Sequence, residues 1–224
     1  MRFINWRKKI VKTLIFDRVI PAFLEGGNIP PSEVWNTSLT LNQGERYIVE
    51  APSGKGKSTF LGILFGSRKD FKGNVSFNEM NVASISKSEW STIRSSKISM
   101  LFQELRLFEM LTVRENLELK LALNNTVSIN QAEQWLARLG LEGFMERKCQ
   151  TLSYGQQQRV AIVRALCQPF EWLLLDEPFS HLDEQNSTIA LELIQEVCAA
   201  QNAGLIVTSL GSAQNRMFDR SIIL

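Results

Sequence analysis

Ala51-Pro52-Ser53-Gly54-Lys55-Gly56-Lys57-Ser58-Thr59 lies between two runs of different character. Arg46-Tyr47-Ile48-Val49-Glu50 before it reads as a strand, and Thr59–Phe65 after it reads as a helix. A strand, a glycine-bearing loop, Lys-Ser and a helix are what a phosphate-binding loop requires. The glycines let the backbone curl so that successive N–H groups face an anion, and the helix start adds the positive end of its dipole. Lys57 can then reach the outer phosphates, and the Ser58 hydroxyl can bind a magnesium ion. Ala51 stands where the pattern has its first glycine, a mild change if its φ is negative.

Upstream, Thr13–Ile20 is expected as a first strand, Gly26-Gly27-Asn28 and Pro30-Pro31 as a loop, and Val34–Leu41 as a half-buried strand. The turn Asn42-Gln43-Gly44 leads back into the strand before the phosphate loop, which predicts an antiparallel pair. Downstream, Gly66 suits a helix C-cap and Asn74–Phe77 a short strand; a polar region runs to about Lys97, and Ile98–Gln103 is a further strand. The period then turns helical: Thr112 with Glu115 opens Val113–Leu123, Ser128 with Gln131 opens Ile129–Leu139, and Leu152–Cys167 continues as helix. Trp172–Asp176 is a fully buried parallel strand, Ser187–Ala200 an amphipathic helix, Gly204–Thr208 a buried strand and Ser221–Leu224 a last one. The expected class is α/β: a P-loop NTPase (RecA-like) core with a small antiparallel β subdomain and an inserted helical subdomain.

The 224 residues suffice for a large core. With 44% hydrophobic and 21% charged residues the composition is that of a soluble globular protein. A net charge of +2 argues against a nucleic-acid partner. No apolar run is long enough for a membrane span, and no signal peptide is evident. Cys149, Cys167 and Cys198 lack metal spacing and read as reduced thiols. Met1–Lys12 mixes apolar and basic residues, so a frayed basic leader and a membrane-surface helix both stand as readings, the leader being the plainer.

Leu173-Leu174-Leu175-Asp176-Glu177 supplies the second half of such a site, about 120 residues downstream of the loop. An acid at the end of a buried strand can hold magnesium, and Glu177 can polarise an attacking water; in isolation an acidic strand end facing solvent is the favoured reading, and the phosphate loop upstream makes it improbable. Leu152-Ser153-Tyr154-Gly155-Gln156-Gln157-Gln158-Arg159 then resembles the L-S-G-G-Q signature of ATP-binding-cassette ATPases. With Gln103, Asp176-Glu177-Pro178 and Ser180-His181-Leu182-Asp183 in the family's order, the resemblance runs from about Leu39 to Leu210 and is to the ATP-binding subunit of an ABC transporter. Residues 101–117 look most like the lipoprotein-releasing, macrolide-exporting and cell-division branch.

The resemblance implies one cassette domain, 1–224, with a nucleotide-binding core at about 11–103 and 158–224 and a helical signature subdomain at about 104–157. It implies two chains, alike or related, sandwiching two ATP molecules. Ser53, Gly54, Lys55, Gly56, Lys57, Ser58 and Thr59 would hold phosphates; Ser58, Gln103 and Asp176 would complete a Mg2+ site; Glu177, with Gln103, would act on the lytic water. Ser153, Gly155 and Gln156 would touch the γ-phosphate across the dimer, and Asp183 would report between sites. Phe23 is the first choice to stack on adenine, with Tyr47 and Trp35 as alternatives and plain packing open for all three.

Besides Ala51, two positions depart from the family. Ser209 stands where it has a histidine at the γ-phosphate, and Tyr154 replaces the first signature glycine. His181 either compensates or is a solvated loop side chain, the commoner case. Slow or partner-dependent hydrolysis is therefore expected, with an ATP-dependent switch or scaffold as the alternative function. The implied partner is a separately encoded transmembrane permease, which places the chain in the cytoplasm on the inner membrane face. Leu105, Leu107, Phe108 and Met110 are its docking patch or, on an even reading, the helical insert's own core. No regulatory domain is expected beyond the last strand.

Overall fold

The computed structural model describes Trp6 and residues 9–27, 29–123, 126–209 and 217–224. Most of the basic leader lies outside these residues; of it, Trp6 and Val11 are buried.

The strands divide into two sheets. β1 (Thr13–Pro21) alternates buried and exposed residues, as a strand with one face on the core must. It sits between β2 (Ser38–Asn42) and β4 (Phe71–Phe77), and β5 (Met80–Asn81) closes the order β2-β1-β4-β5, all pairs antiparallel. The second sheet has the order β6-β7-β8-β3-β9, all pairs parallel, from β3 (Arg46–Glu50), β6 (Ile98–Leu101), β7 (Trp172–Asp176), β8 (Gly204–Ser209) and β9 (Arg220–Ile223).

Two expectations are corrected here. β2 and β3 do not form a hairpin: β2 pairs with β1, and the Asn42–Glu45 turn carries the chain from one sheet to the other. The inner residues of β3, Tyr47, Ile48 and Val49, are all buried, which suits a strand covered on both faces and not a half-exposed hairpin arm. The second strand also starts at Ser38, not Val34. Ser32 Oγ accepts from the N–H groups of Val34 and Trp35 at 3.0 and 2.9 Å, and Asn36 turns through φ +57°.

Helix α1 (Lys57–Leu64) follows β3 through the phosphate loop. α2 (Lys87–Ser96) lies inside the stretch expected to be merely polar; Ser86 and Glu89 cap each other's backbone, and only Trp90 and Ile93 are buried. α3 (Val113–Leu121), α4 (Ile129–Arg138) and α5 (Tyr154–Leu166) open on Thr112, Ser128 and Ser153 as N-caps. α6 (Glu184–Gln201) opens on Asp183 and ends with Asn202 in the left-handed region. One apolar cluster lies between the two sheets around α1; the other joins α3–α6 to the opposite side of the parallel sheet.

Candidate active site

The phosphate loop has the backbone its sequence requires. Gly54 and Gly56 sit at φ +75° and +102°, conformations strained for any side chain. A Cβ on Gly56 would lie 2.9 Å from Phe23 Cζ and 3.2 Å from Trp35 Cζ2. Ala51 is not among the residues at positive φ, so its methyl is accommodated. Gly56 is the N-cap of α1, whose first-turn N–H groups therefore face the loop.

Lys57 is buried, and its Nζ donates to the carbonyls of Ala51 and Pro52 at 2.7 and 3.3 Å and pairs with Glu177 Oε1 at 3.1 Å. Glu177 follows Asp176, the buried last residue of β7. Thr208, on β8, joins the two acids: its hydroxyl donates to Asp176 Oδ1 at 2.7 Å and accepts from the Glu177 N–H at 3.0 Å. Glu177 itself stands at φ +48°.

One cleft is lined by Phe23, Ser53, Gly54, Gly56, Lys57, Ser58, Thr59, Gln103 and Glu177. An adjoining one is lined by Ser58, Thr59, Gln103 and Asp176. Ser58, Gln103 and Asp176 thus offer a hydroxyl, an amide oxygen and a carboxylate to one space, a donor set that fits magnesium. Phe23 is half-exposed, whereas Tyr47 and Trp35 are buried and have no face free for a ligand. Arg68, which the sequence does not point to, lines both clefts; its side chain folds over Gly62 and pairs with Asp70 at 3.2 Å.

Ser153, Gly155, Gln156 and Asp183 line neither cleft. Ser153 and Gln156 form a reciprocal cap on α5. Gly155 is needed for close approach, since a Cβ there would lie 2.8 Å from the His181 carbonyl oxygen. Tyr154 is exposed; its hydroxyl donates to the Gln103 carbonyl at 3.2 Å, and its ring packs edge-on against His181 at 4.3 Å. Asp183 accepts from the Asn186 N–H at 2.8 Å, which holds its carboxyl below the usual range. Ser209 ends β8, and its carbonyl accepts from the Ala51 N–H at 3.4 Å. Of the apolar patch, Leu105 is buried and Leu107 half-buried against the helical core, while Phe108 and Met110 are exposed. Leu105 and Arg106 turn through φ +58° and +52°, and this fold-back carries Leu105 inward.

A phosphate loop between strand and helix, with paired acids at the end of a buried strand of the same parallel sheet, defines a P-loop nucleoside triphosphatase. The family model described as "ABC transporter" matches residues 34–180, and the chain belongs to this family as an ATP-binding subunit. It is 37% identical over 175 residues to the thiamine import ATP-binding protein ThiQ of Haemophilus influenzae, across 77% of this chain and 79% of the relative. It is 35% identical over 165 residues to the ABC transporter ATP-binding protein YtrE of Bacillus subtilis, across 72% and 71%. The solved dimeric structure of MJ0796, a bacterial ABC transporter cassette, superposes with a TM-score of 0.81 at 30% identity over 94% of both chains. The same cassette, in a post-hydrolysis dimer bound to ADP and Pi, gives 0.81 at 29%. The chain is an ATP-binding, ATP-hydrolysing cassette.

Proposed function

We propose that the chain is the ATPase subunit of a transporter, powering a separately encoded membrane permease through ATP-driven pairing of two cassettes. The observation that carries this is the cleft in which the phosphate loop, Gln103 and Glu177 converge, with Ser153, Gly155 and Gln156 absent from its lining. A signature that lies outside its own cleft is intelligible as half of a site completed by another chain. In this reading the cassette spans 1–224, its core 11–103 and 158–224, its helical signature part 104–157.

Ser53–Thr59 bind the phosphates through loop N–H groups, and Lys57 neutralises them. Phe23 packs against the adenine from above Gly56. Ser58, Gln103 and Asp176 hold Mg2+, which supplies charge neutralisation at the phosphates when bound. Glu177, with Gln103, orients the water and takes up its proton. Ser153, Gly155 and Gln156 meet the γ-phosphate of the other chain's nucleotide, and Asp183 links the sites. Among the described residues no helix is long and apolar enough to cross a membrane, and Phe108 and Met110 are exposed anchors for the permease at the inner membrane face.

Ser209 favours a second reading, a nucleotide-dependent switch or scaffold with weak hydrolysis. A hydroxyl lacks the reach and charge of imidazole, and the one histidine, His181, packs against Tyr154. Turnover of the wild type and of Ser209→His, each with and without co-purified membrane protein, tests both readings. The transporter reading expects partner-stimulated turnover that rises further in Ser209→His. Fast turnover, equal in both proteins, would remove the role given to Ser209; no turnover under any condition would leave the switch.

A further inference from the structure

Gln158, on α5, is 1% exposed, and a carboxamide at that depth must have both ends satisfied. Its Nε2 donates to the main-chain carbonyl of Glu177 at 3.1 Å, and its Oε1 accepts from the main-chain N–H of His181 at 3.2 Å. Both partners belong to the turn that leaves β7. Glu177 holds φ +48°, a backbone state that side-chain-bearing residues keep only when their surroundings impose it. Thr208 grips its N–H from β8; its carbonyl accepts from Ser180 within the turn and from Gln158 on α5, the one of these carbonyl partners that lies outside the turn. The first residues of α5 touch the same turn: Gly155 leaves no room for a Cβ beside His181, and Tyr154 packs on the His181 ring.

We propose that Gln158 is a positioning residue for Glu177, transmitting the placement of the Ser153–Gln156 turn to the carboxylate of the same chain. The proposal rests on the reading of Glu177 as the residue that acts on water. Ser153 and Gln158 are separated by little more than one helical turn, about 7.5 Å of rise, and an α-helix of that length moves as a rigid piece. A phosphate drawn against Ser153 and Gly155 by the other chain's nucleotide therefore shifts the bond to Glu177 directly. Each chain reads the neighbouring site with its signature and adjusts its own site through Gln158. Coupling between two hydrolysis sites then runs through the interior of each chain as well as across the dimer face.

Gln158→Met keeps the length and volume of the side chain and removes both hydrogen bonds. Turnover, ATP affinity and thermal unfolding are measured for the full chain alongside Glu177→Gln. The expected result is a kcat lower on the order of 10²-fold, the scale at which a small misplacement acts. The Kd for ATP stays within about twofold, because Gln158 does not line the phosphate cleft. A merely structural residue would lower the unfolding temperature and leave the kcat of the folded protein intact, which would overturn the proposal. Wild-type turnover in Glu177→Gln would remove the reading on which it rests; an inactive Glu177→Gln beside a fully active Gln158→Met would sink the proposal alone. Should Gln158→Met not fold, Gln158→Asn, one methylene short of its partners, is measured in its place, with the same loss expected and full activity overturning the proposal. Hydrogen exchange on the wild type provides a check without substitution. The His181 amide should exchange slowly and slow further with ATP and Mg2+, and exchange at the rate of a free amide would refute the bond.

Discussion

Replacing Thr208 by valine tests how the acidic end of β7 is held. The residue is 1% exposed, and its single hydroxyl serves both Asp176 Oδ1 and the Glu177 N–H, at 2.7 and 3.0 Å. Valine fills nearly the same space and supplies neither bond. Loss of a hydrogen bond to a buried carboxylate costs about 1.5–3 kcal/mol and loss of a neutral one about 1 kcal/mol, so the sum is about 3 kcal/mol. At about 2–4 °C per kcal/mol for a chain of this size, the unfolding temperature should fall by about 6–12 °C. Thr208→Ser is the control, because it keeps the hydroxyl and loses one methyl, at about 1 kcal/mol. Both variants are followed by thermal unfolding, and turnover is compared at a temperature below all three transitions. Thr208→Val should lose turnover as well as stability, since the Glu177 N–H loses the hydroxyl that holds it to β8. If the valine and serine variants unfold together and hydrolyse alike, the hydroxyl contributes nothing and the reasoning fails.

Cys149, Cys167 and Cys198 are buried, and burial pushes all three thiols up, Cys167 and Cys198 to about 12. Iodoacetamide at about pH 8 should leave the native protein unmodified and label all three in denaturant; stoichiometric labelling of the folded chain would refute this. At the other end of the sheet, Asp219 accepts from the guanidinium and N–H of Arg46, and the guanidinium bond chiefly holds its carboxyl below the usual range. A depressed folded-state value adds stability above the unfolded value of about 3.9 that is lost as pH falls through the folded one. Asp219→Asn should therefore unfold a little earlier than the wild type near neutrality, with the gap closing below about pH 4; a gap that widens in acid would reverse the sign of the argument.

The features legible in the sequence are those whose causes are local. The phosphate loop, the apolar run of β7 and the caps at Thr112 and Ser128 each need only a few consecutive residues, and all lie where the pattern put them. The expected β2–β3 hairpin does not form, and Asn42–Gly44 does not reveal this because it is good turn chemistry in either setting. Burial of β3 on both faces decides the matter, and only the other strands of the sheet provide it. α2 hid in a polar stretch because two buried residues in ten leave almost no helical period, although Ser86 and Glu89 mark its start. The sequence leaves Leu105 evenly between docking patch and core because nothing local reveals two successive left-handed residues. Thr208 and Gln158 escaped notice for the same kind of reason, as their partners lie 31 or 32 and 19 or 23 residues away.

Those distant contacts converge on one residue. The ammonium of Lys57 has three donors, and the Ala51 carbonyl, the Pro52 carbonyl and Glu177 account for three partners. A phosphate that claims this ammonium competes with the Glu177 carboxylate for it, because a buried cation cannot take a new charge-assisted bond without giving up another. Binding in the loop and release of Glu177 are thus opposite sides of one exchange. The main chain of Glu177 is held separately from its carboxylate, its N–H on Thr208 and its carbonyl on Gln158 and Ser180. What such an exchange would free is the Glu177 side chain, which lines the cleft. If Glu177 is the group that polarises the attacking water, Lys57 withholds it until a phosphate arrives, and hydrolysis is tied to occupancy by the same ion pair that stabilises the site. Lys57→Met would break that tie from the other side. Nucleotide affinity should fall together with turnover, whereas loss of the Glu177 carboxylate alone should lower turnover and raise affinity, because the phosphate then has no competitor for the ammonium.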